Sequence, residues 1–151
     1  MAAEIRLMTP EDHEEVLLLW KSVPGIGLRE YDDGREGFAR FLRRNPRTCF
    51  AASDGGEIVG TILAGHDGRR GFLYHVAVRP DHQGQGIGKR LTEAAMEALS
   101  REGIFKTALV VFADNAGGNE FWEKLGFAAR PDLVYRNREN DLSGGTAREQ
   151  E

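Results

Sequence analysis

The sequence predicts an α+β fold, a mixed and strongly twisted sheet of six or seven strands flanked by about four helices. Three observations carry this. The apolar segments Thr48 to Ser53, Glu57 to Gly65 and Phe72 to Val78 follow one another through connections so short that the strands must run antiparallel. A long helical stripe of Ile87, Leu91, Ala94, Ala95, Ala98 and Leu99 then leads to another apolar segment, Thr107 to Phe112, and such a crossover makes the strands it joins parallel. Between strand and helix stands a glycine-rich turn, Gln83-Gly84-Gln85-Gly86-Ile87-Gly88-Lys89.

The elements follow in order. Glu4 to Met8 alternates charged and apolar residues and reads as the first strand. Thr9-Pro10-Glu11-Asp12 is a helix start, with Thr9 as N-cap, Pro10 at the first helical position and acids in the first turn. Val16, Leu19 and Trp20 share the face that packs. Ser22 to Gly34 is broken by Pro24, Gly25, Gly27, Asp32 and Asp33 and reads as a loop. Phe38, Phe41 and Leu42 mark a second helix, which Asn45-Pro46 ends. Asp54-Gly55-Gly56 is a hairpin signal, Asp67-Gly68 is another turn, and Gly103 is the left-handed cap of the long helix. Phe121, Trp122 and Leu125 lie on one side of a short helix closed by Gly126, and Leu133 to Arg136 reads as a last, weaker strand. Residues 1–136 are expected to form one domain, and the polar residues 137–151 a frayed tail.

A chain of 151 residues is long enough for a single core. With 40% hydrophobic and 29% charged residues it falls among soluble globular proteins, and no apolar run reaches the length of a membrane span. The net charge of −4 offers no electrostatic basis for nonspecific nucleic-acid binding. No secretory signal is visible at the N-terminus, and Cys49, the only cysteine, excludes an intramolecular disulfide, so a cytoplasmic protein is expected. The four histidines lack spacings such as H-x-x-x-H, so no metal is expected.

At a strand-turn-helix junction the first N–H groups of the helix lack carbonyl partners and gather at the positive end of its dipole. A diphosphate fits there, and Gly84, Gly86 and Gly88 let the main chain approach it with no Cβ in the way. Two familiar phosphate motifs fail. The residue three after Gly86 is Lys89 rather than glycine, against the dinucleotide fingerprint, and Gly88-Lys89 is followed by Arg90 rather than Ser or Thr, against the P-loop of nucleotide-dependent kinases and ligases.

What matches is Q-x-x-G-x-G, from Gln83 through Gly86 to Gly88, directly after a V-x-V-x-P strand exit. Together with the downstream segment Asn115-Ala-Gly-Gly-Asn-Glu-Phe-Trp-Glu-Lys-Leu-Gly-Phe127, it resembles the acyl-CoA signature of the GNAT acyltransferase superfamily. The resemblance runs from about Glu4 to Arg136 and is closest to small bacterial members whose acceptor is generally unassigned. It implies the GNAT acyl-CoA N-acyltransferase fold, in which the two parallel strands splay apart and the acyl-pantetheine lies in the gap. It also implies an N-acetyltransferase that passes the acetyl group of acetyl-CoA to a primary amine, on a small molecule or a protein, by direct attack in a ternary complex. Carried onto matching positions, main-chain groups of Val76, Ala77 and Val78 would pair with the pantetheine arm and thioester. Gln83, Gly84, Gln85, Gly86, Ile87, Gly88 and Lys89 would hold the diphosphate, Asn115 would bond the pantetheine region, and Phe121 and Trp122 would flank the sulfur end.

The chain departs from that family in two catalytic roles, the acid and the base. Trp122 stands where many members carry a Tyr that protonates the departing thiolate, a task indole cannot perform. A thiol of pKa about 8.5 nevertheless leaves as thiolate at a cost of about 2 kcal/mol at pH 7, so water, the attacked amine or Tyr74 can supply the proton. Phe72 and Val110 occupy places where some relatives carry a basic Glu. His75 is on the correct strand, and imidazole titrates near neutrality, so it is the candidate base; a packed strand histidine with a water relay is the other reading. Regular alternation would set His75 and Ala77 opposite Tyr74 and Val76.

Glu30 and Tyr31, with Asp32 and Asp33, lie in the loop that the family closes over the acceptor; they either attract a cationic amine or form a solvated turn. His66 either lines the acceptor pocket or shapes its own turn. The missing Tyr and Glu keep a second function open, a non-catalytic acyl-CoA-binding sensor or regulatory module. Cys49 reads as a small buried residue rather than an acetyl-carrying nucleophile. Exposed strand edges leave room for a homodimer.

Overall fold

The computed structural model describes residues 2–142. Residues 143–151 of the expected tail, Gly144-Gly145 included, lie outside the described residues. The chain divides after Leu109 into two compact units. The first holds a five-stranded sheet in the order β1-β2-β3-β4-β5, built from Glu4–Leu7, Phe50–Asp54, Glu57–His66, Gly71–Val78 and Thr107–Ala108. All neighbours are antiparallel except β4 and β5, which are parallel, as the crossover through the long helix requires.

Helices cover both faces. α1 (His13–Ser22), the short α2 (Glu30–Asp33) and α3 (Arg35–Arg44) lie on one side, and α4 (Ile87–Arg101) packs on the other. The α1/α3 face holds a core of Val16, Leu19, Trp20, Phe38 and Leu42 against Ala51, Ile58, Leu63 and Ala77. Trp20 and Phe38 meet edge to face at 6.1 Å. On the other face Gly60 lets α4 come close, since a Cβ there would lie 3.0 Å from Leu91 Cδ1 and 3.1 Å from Ile87 Cγ2. The bare main chain of β3 therefore seats the first turns of α4, where the glycine-rich turn ends.

Several local readings hold. Gly55 and Gly56 form a two-residue hairpin with φ of 61° and 85°, between the paired residues Asp54 and Glu57. Pro10–Asp12 forms a 3-10 turn that runs directly into α1, with the Thr9 N–H donating to the Asp12 carboxylate at 2.8 Å.

Others need correction. The described sheet has five strands rather than six or seven. The segment expected as a strand from Thr107 to Phe112 keeps only two ladder residues, and Val110 and Phe112 are 57% and 71% exposed. An apolar run becomes a strand only beside a partner, and β4 bulges three residues beyond the last pair, which bends it out of a straight register. Leu133 to Arg136 pairs with no strand among the described residues, and its side chains are exposed. The loop from Ser22 to Gly34 contains α2, whose one turn is held by the Asp33 carboxylate accepting from the Arg29 N–H at 2.8 Å.

Candidate active site

The outer edge of β4 is open. Its parallel pairing with β5 stops at Phe72, so among the described residues Leu73 to Val78 have no ladder partner on that side. Ala77 pairs with Thr61, and the Arg79 N–H donates to the Val59 carbonyl at 2.7 Å. In an antiparallel ladder the residue between two such pairs points the other way, so the N–H and C=O of Val78 face the open edge. Gln83 Nε2 donates to that Val78 carbonyl at 3.0 Å, tying the glycine-rich turn to the end of the strand. Ala77, by contrast, turns its methyl into the core and spends its main chain on Thr61.

Within β4 one extra residue is inserted. Thr61 and Leu63 pair with Ala77 and Tyr74, so His75 and Val76 together oppose Ile62. His75 has φ of 48°, the only positive φ at a non-glycine among the described residues. Such a conformation costs on the order of 1 kcal/mol or more and persists only where the surroundings impose it. Here they do. Thr61 Oγ1 donates to the His75 carbonyl at 3.0 Å and itself accepts from Trp20 Nε1 at 2.8 Å. The Trp20 ring meets the imidazole edge to face at 4.6 Å.

The insertion overturns the expected alternation. Tyr74 packs on Phe41 of α3 at 5.8 Å, and the next residue, His75, packs on Trp20 of α1, so both side chains face the same helical layer. His75 Nε2 lies 2.9 Å from Asp33 Oδ1. Asp33 is buried at 6% exposure, its second oxygen accepts from Arg29 N–H, and its carbonyl accepts from His13 Nε2 at 2.8 Å. Buried carboxylates persist only when bonded in this way.

The turn after β4 leads into the N-terminus of α4. Gly84 and Gly86 both have φ of 81°, and Gly86 is the N-cap of α4. A Cβ at either position would meet nothing within 4 Å, so the space over the turn is open. The N–H groups of Ile87, Gly88 and Lys89 open the helix, its first turn holds no acid, and the first bond of that turn runs from Arg90 N–H to the Gly86 carbonyl. Ile87 is buried, while Gln83, Gln85 and Lys89 are exposed. Just upstream, His82 is gripped at both ring nitrogens, by Asp81 and Asp54 at 2.8 Å each. These bonds, Asp81's first, raise its pKa, while Arg79 and then His82 lower that of Asp81 to about 2.

The remaining candidates make other contacts. His66 closes the loop between β3 and β4 at the other end of β4: Nδ1 accepts from Gly68 N–H and Nε2 contacts Glu102 at 2.7 Å. Glu30 and Tyr31 are exposed on α2, and Arg40 lies over the Tyr31 ring at 4.7 Å. Cys49 is buried with Sγ against the Ala64 carbonyl, and burial pushes its thiol up to about 12, which removes it as a nucleophile. No group of three His, Cys, Asp or Glu among the described residues could hold a metal.

In the second unit, Asn115 caps α5 (Ala116–Lys124) by accepting from Gly118 N–H at 2.9 Å. Phe121 and Trp122 meet at 4.8 Å, and Trp122 meets Phe127 at 5.3 Å. Sequence reasoning named His75 and Asp33 separately but missed their pairing. It also missed Thr61, whose hydroxyl has no local signal in an apolar strand.

A family model described as Acetyltransferase (GNAT) family matches residues 14–127. An acetyltransferase of Sodalis glossinidius (strain morsitans) is 36% identical over 131 residues, which cover 87% of this chain and 91% of that relative. Among solved structures, the PaiA N-acetyltransferase from Thermoplasma acidophilum in complex with coenzyme A matches with a TM-score of 0.75 at 22% identity, covering 86% of this chain and 92% of the other. AAC(6')-Iy in complex with the bisubstrate analogue CoA-S-monomethyl-acetylneamine matches with a TM-score of 0.72 at 19% identity, covering 93% and 100%. No described helix is long and apolar enough to cross a membrane.

Proposed function

Because the chain belongs to the GNAT acetyltransferase family, we propose that it transfers the acetyl group of acetyl-CoA to a primary amine by direct attack within a ternary complex. The observation that carries this is the continuity of the open β4 edge with the glycine turn. The main-chain groups of Val78 face a side that carries no strand among the described residues, and a few residues on, the chain presents the open glycine turn of Gly84 to Lys89. A pantetheine arm bonds an edge as an added strand does, and its diphosphate suits the helix N-terminus. The thioester then lies along β4 close to His75 and Tyr74.

The reaction needs the acceptor as a free amine, since an ammonium has no lone pair. The amine nitrogen bonds to the thioester carbon as the C–S bond breaks, and the departing thiolate takes a proton from Tyr74, water or the amine itself. The acceptor class is a small-molecule amine or a protein lysine or N-terminus. AAC(6')-Iy, a distant structural relative, is solved with an acetylneamine analogue, in line with amine chemistry on this fold.

The test is thiol release from acetyl-CoA with a panel of an aminoglycoside, a linear polyamine, a lysine peptide and an N-terminal alanine peptide. Turnover with at least one amine is expected. Stabilisation by acetyl-CoA with no turnover across the panel would favour the sensor reading, and no stabilisation would remove the cofactor site.

A further inference from the structure

We infer that Asp33 is a positioning residue that fixes the tautomer of His75, making Nδ1 the atom that takes the proton from the acceptor amine. This rests on the acetyltransferase reading above. A carboxylate oxygen accepts, so the bond from His75 to Asp33 Oδ1 places the ring proton on Nε2 and leaves the lone pair on Nδ1. The only buried side-chain nitrogen or oxygen without a partner among the described residues is His13 Nδ1. His75 Nδ1 makes no bond among the described residues, and the His75 side chain is 16% exposed.

The carboxylate is itself held fast. Arg29 N–H fixes its second oxygen, and the His13 imidazole fixes its main chain, which sets Asp33 in one orientation. Trp20 and Thr61 hold the other half by locking the imidazole edge-on and bonding the carbonyl of the strained residue. The titratable groups facing His75 are therefore Asp33 from α2, with His13 of α1 behind it, and its chain neighbour Tyr74. The imidazole is next in the chain to Val76, on the stretch of edge proposed to hold the thioester.

The proton balance is simple. An ammonium N–H bond breaks and an Nδ1–H bond forms, and the resulting imidazolium sits against the Asp33 carboxylate. The freed lone pair makes the new N–C bond while the C–S electrons leave with sulfur, and the acylated nitrogen gives up its second proton to water or to the thiolate. The proton on Nδ1 then returns to solvent or to the thiolate.

Long-range proton–nitrogen NMR of the wild-type protein labelled with 15N-histidine reads the tautomer without any acceptor. The Nε2–H form is expected at His75, with its signals identified by their loss in His75→Gln. An Nδ1–H form would overturn the inference, whether or not the panel has yielded an acceptor. With an accepted amine, His75→Gln should lower kcat about 100-fold with acetyl-CoA affinity intact, and abolish the ascending limb of the pH–rate profile. Asp33→Asn should displace that limb and mix the tautomers, with a smaller loss in kcat than in His75→Gln. An unchanged profile and unchanged tautomer in Asp33→Asn would refute the positioning role. Absence of turnover in wild type with the Nε2–H tautomer present would instead count against the transferase reading alone.

Discussion

The Thr61 hydroxyl donates to the main-chain carbonyl of His75 at 3.0 Å, closing the bulge that turns the imidazole toward α1 and α2. The same oxygen accepts from Trp20, so one hydroxyl satisfies a buried donor and a part-buried acceptor. Thr61→Val keeps the shape and strands both. Each orphaned group costs about 1–3 kcal/mol, so a loss of about 2–4 kcal/mol in urea unfolding is expected, with Thr61→Ser close to wild type. A loss below about 1 kcal/mol would mean that other partners take over.

Gly86→Asp places a carboxylate and a Cβ in the open space over the turn, at a residue with φ of 81° that Asp tolerates better than most residues. The fold should survive. Acetyl-CoA affinity should fall at least tenfold, about 1.4 kcal/mol, by calorimetry. Unaltered affinity would place the diphosphate elsewhere.

His82 makes stability depend on pH in a defined direction. Its folded-state pKa is raised, by Asp81 first and Asp54 next, so its contribution is complete below the ordinary histidine value of about 6.5 and fades as pH rises through the raised value. It also fades in strong acid, where Asp81, held at about 2, takes up a proton. The Tm difference between wild type and His82→Gln should therefore be widest at mildly acidic pH and shrink toward alkaline pH. A difference that widens in alkali would contradict the bonding at its two ring nitrogens.

Cys49 should be inert in the native protein. Its thiol is buried and held near 12, so a disulfide reagent should modify it only after denaturation, releasing one equivalent. Fast labelling of the folded protein with loss of turnover would reopen the covalent route.

Trp122→Tyr restores the residue many GNAT members carry. Trp122 lies between Phe121 and Phe127, an aromatic setting that accepts a Tyr ring, so the helix should persist and turnover should equal or exceed wild type. A large drop in turnover with normal acetyl-CoA affinity would show that the indole has its own role.

Much of the fold was legible because its signals are local. The Gly55-Gly56 hairpin, the 3.6-residue stripe of α4 and the glycines of the turn each act within a few residues, and each appears where the pattern put it. The candidate site was legible in part for the same reason, since Gln83 to Lys89 is one continuous stretch. The reading failed where local pattern meets a distant constraint. Thr107 to Phe112 has the composition of a buried strand, but strand formation needs a neighbour, and β4 offers one over only two residues.

The sequence by itself determined the order of β1 to β5 and of α1, α3, α4 and α5, the glycine-rich turn before α4, and the family, because periodicity and glycine spacing act at short range. The tertiary structure alone decided which way His75 points and what grips it. That choice depends on an inserted residue opposite Ile62 and on Asp33, 42 residues away in the chain. A pairing across that separation is created only when α2 and β4 pack side by side, since neither residue's immediate neighbours encode the other.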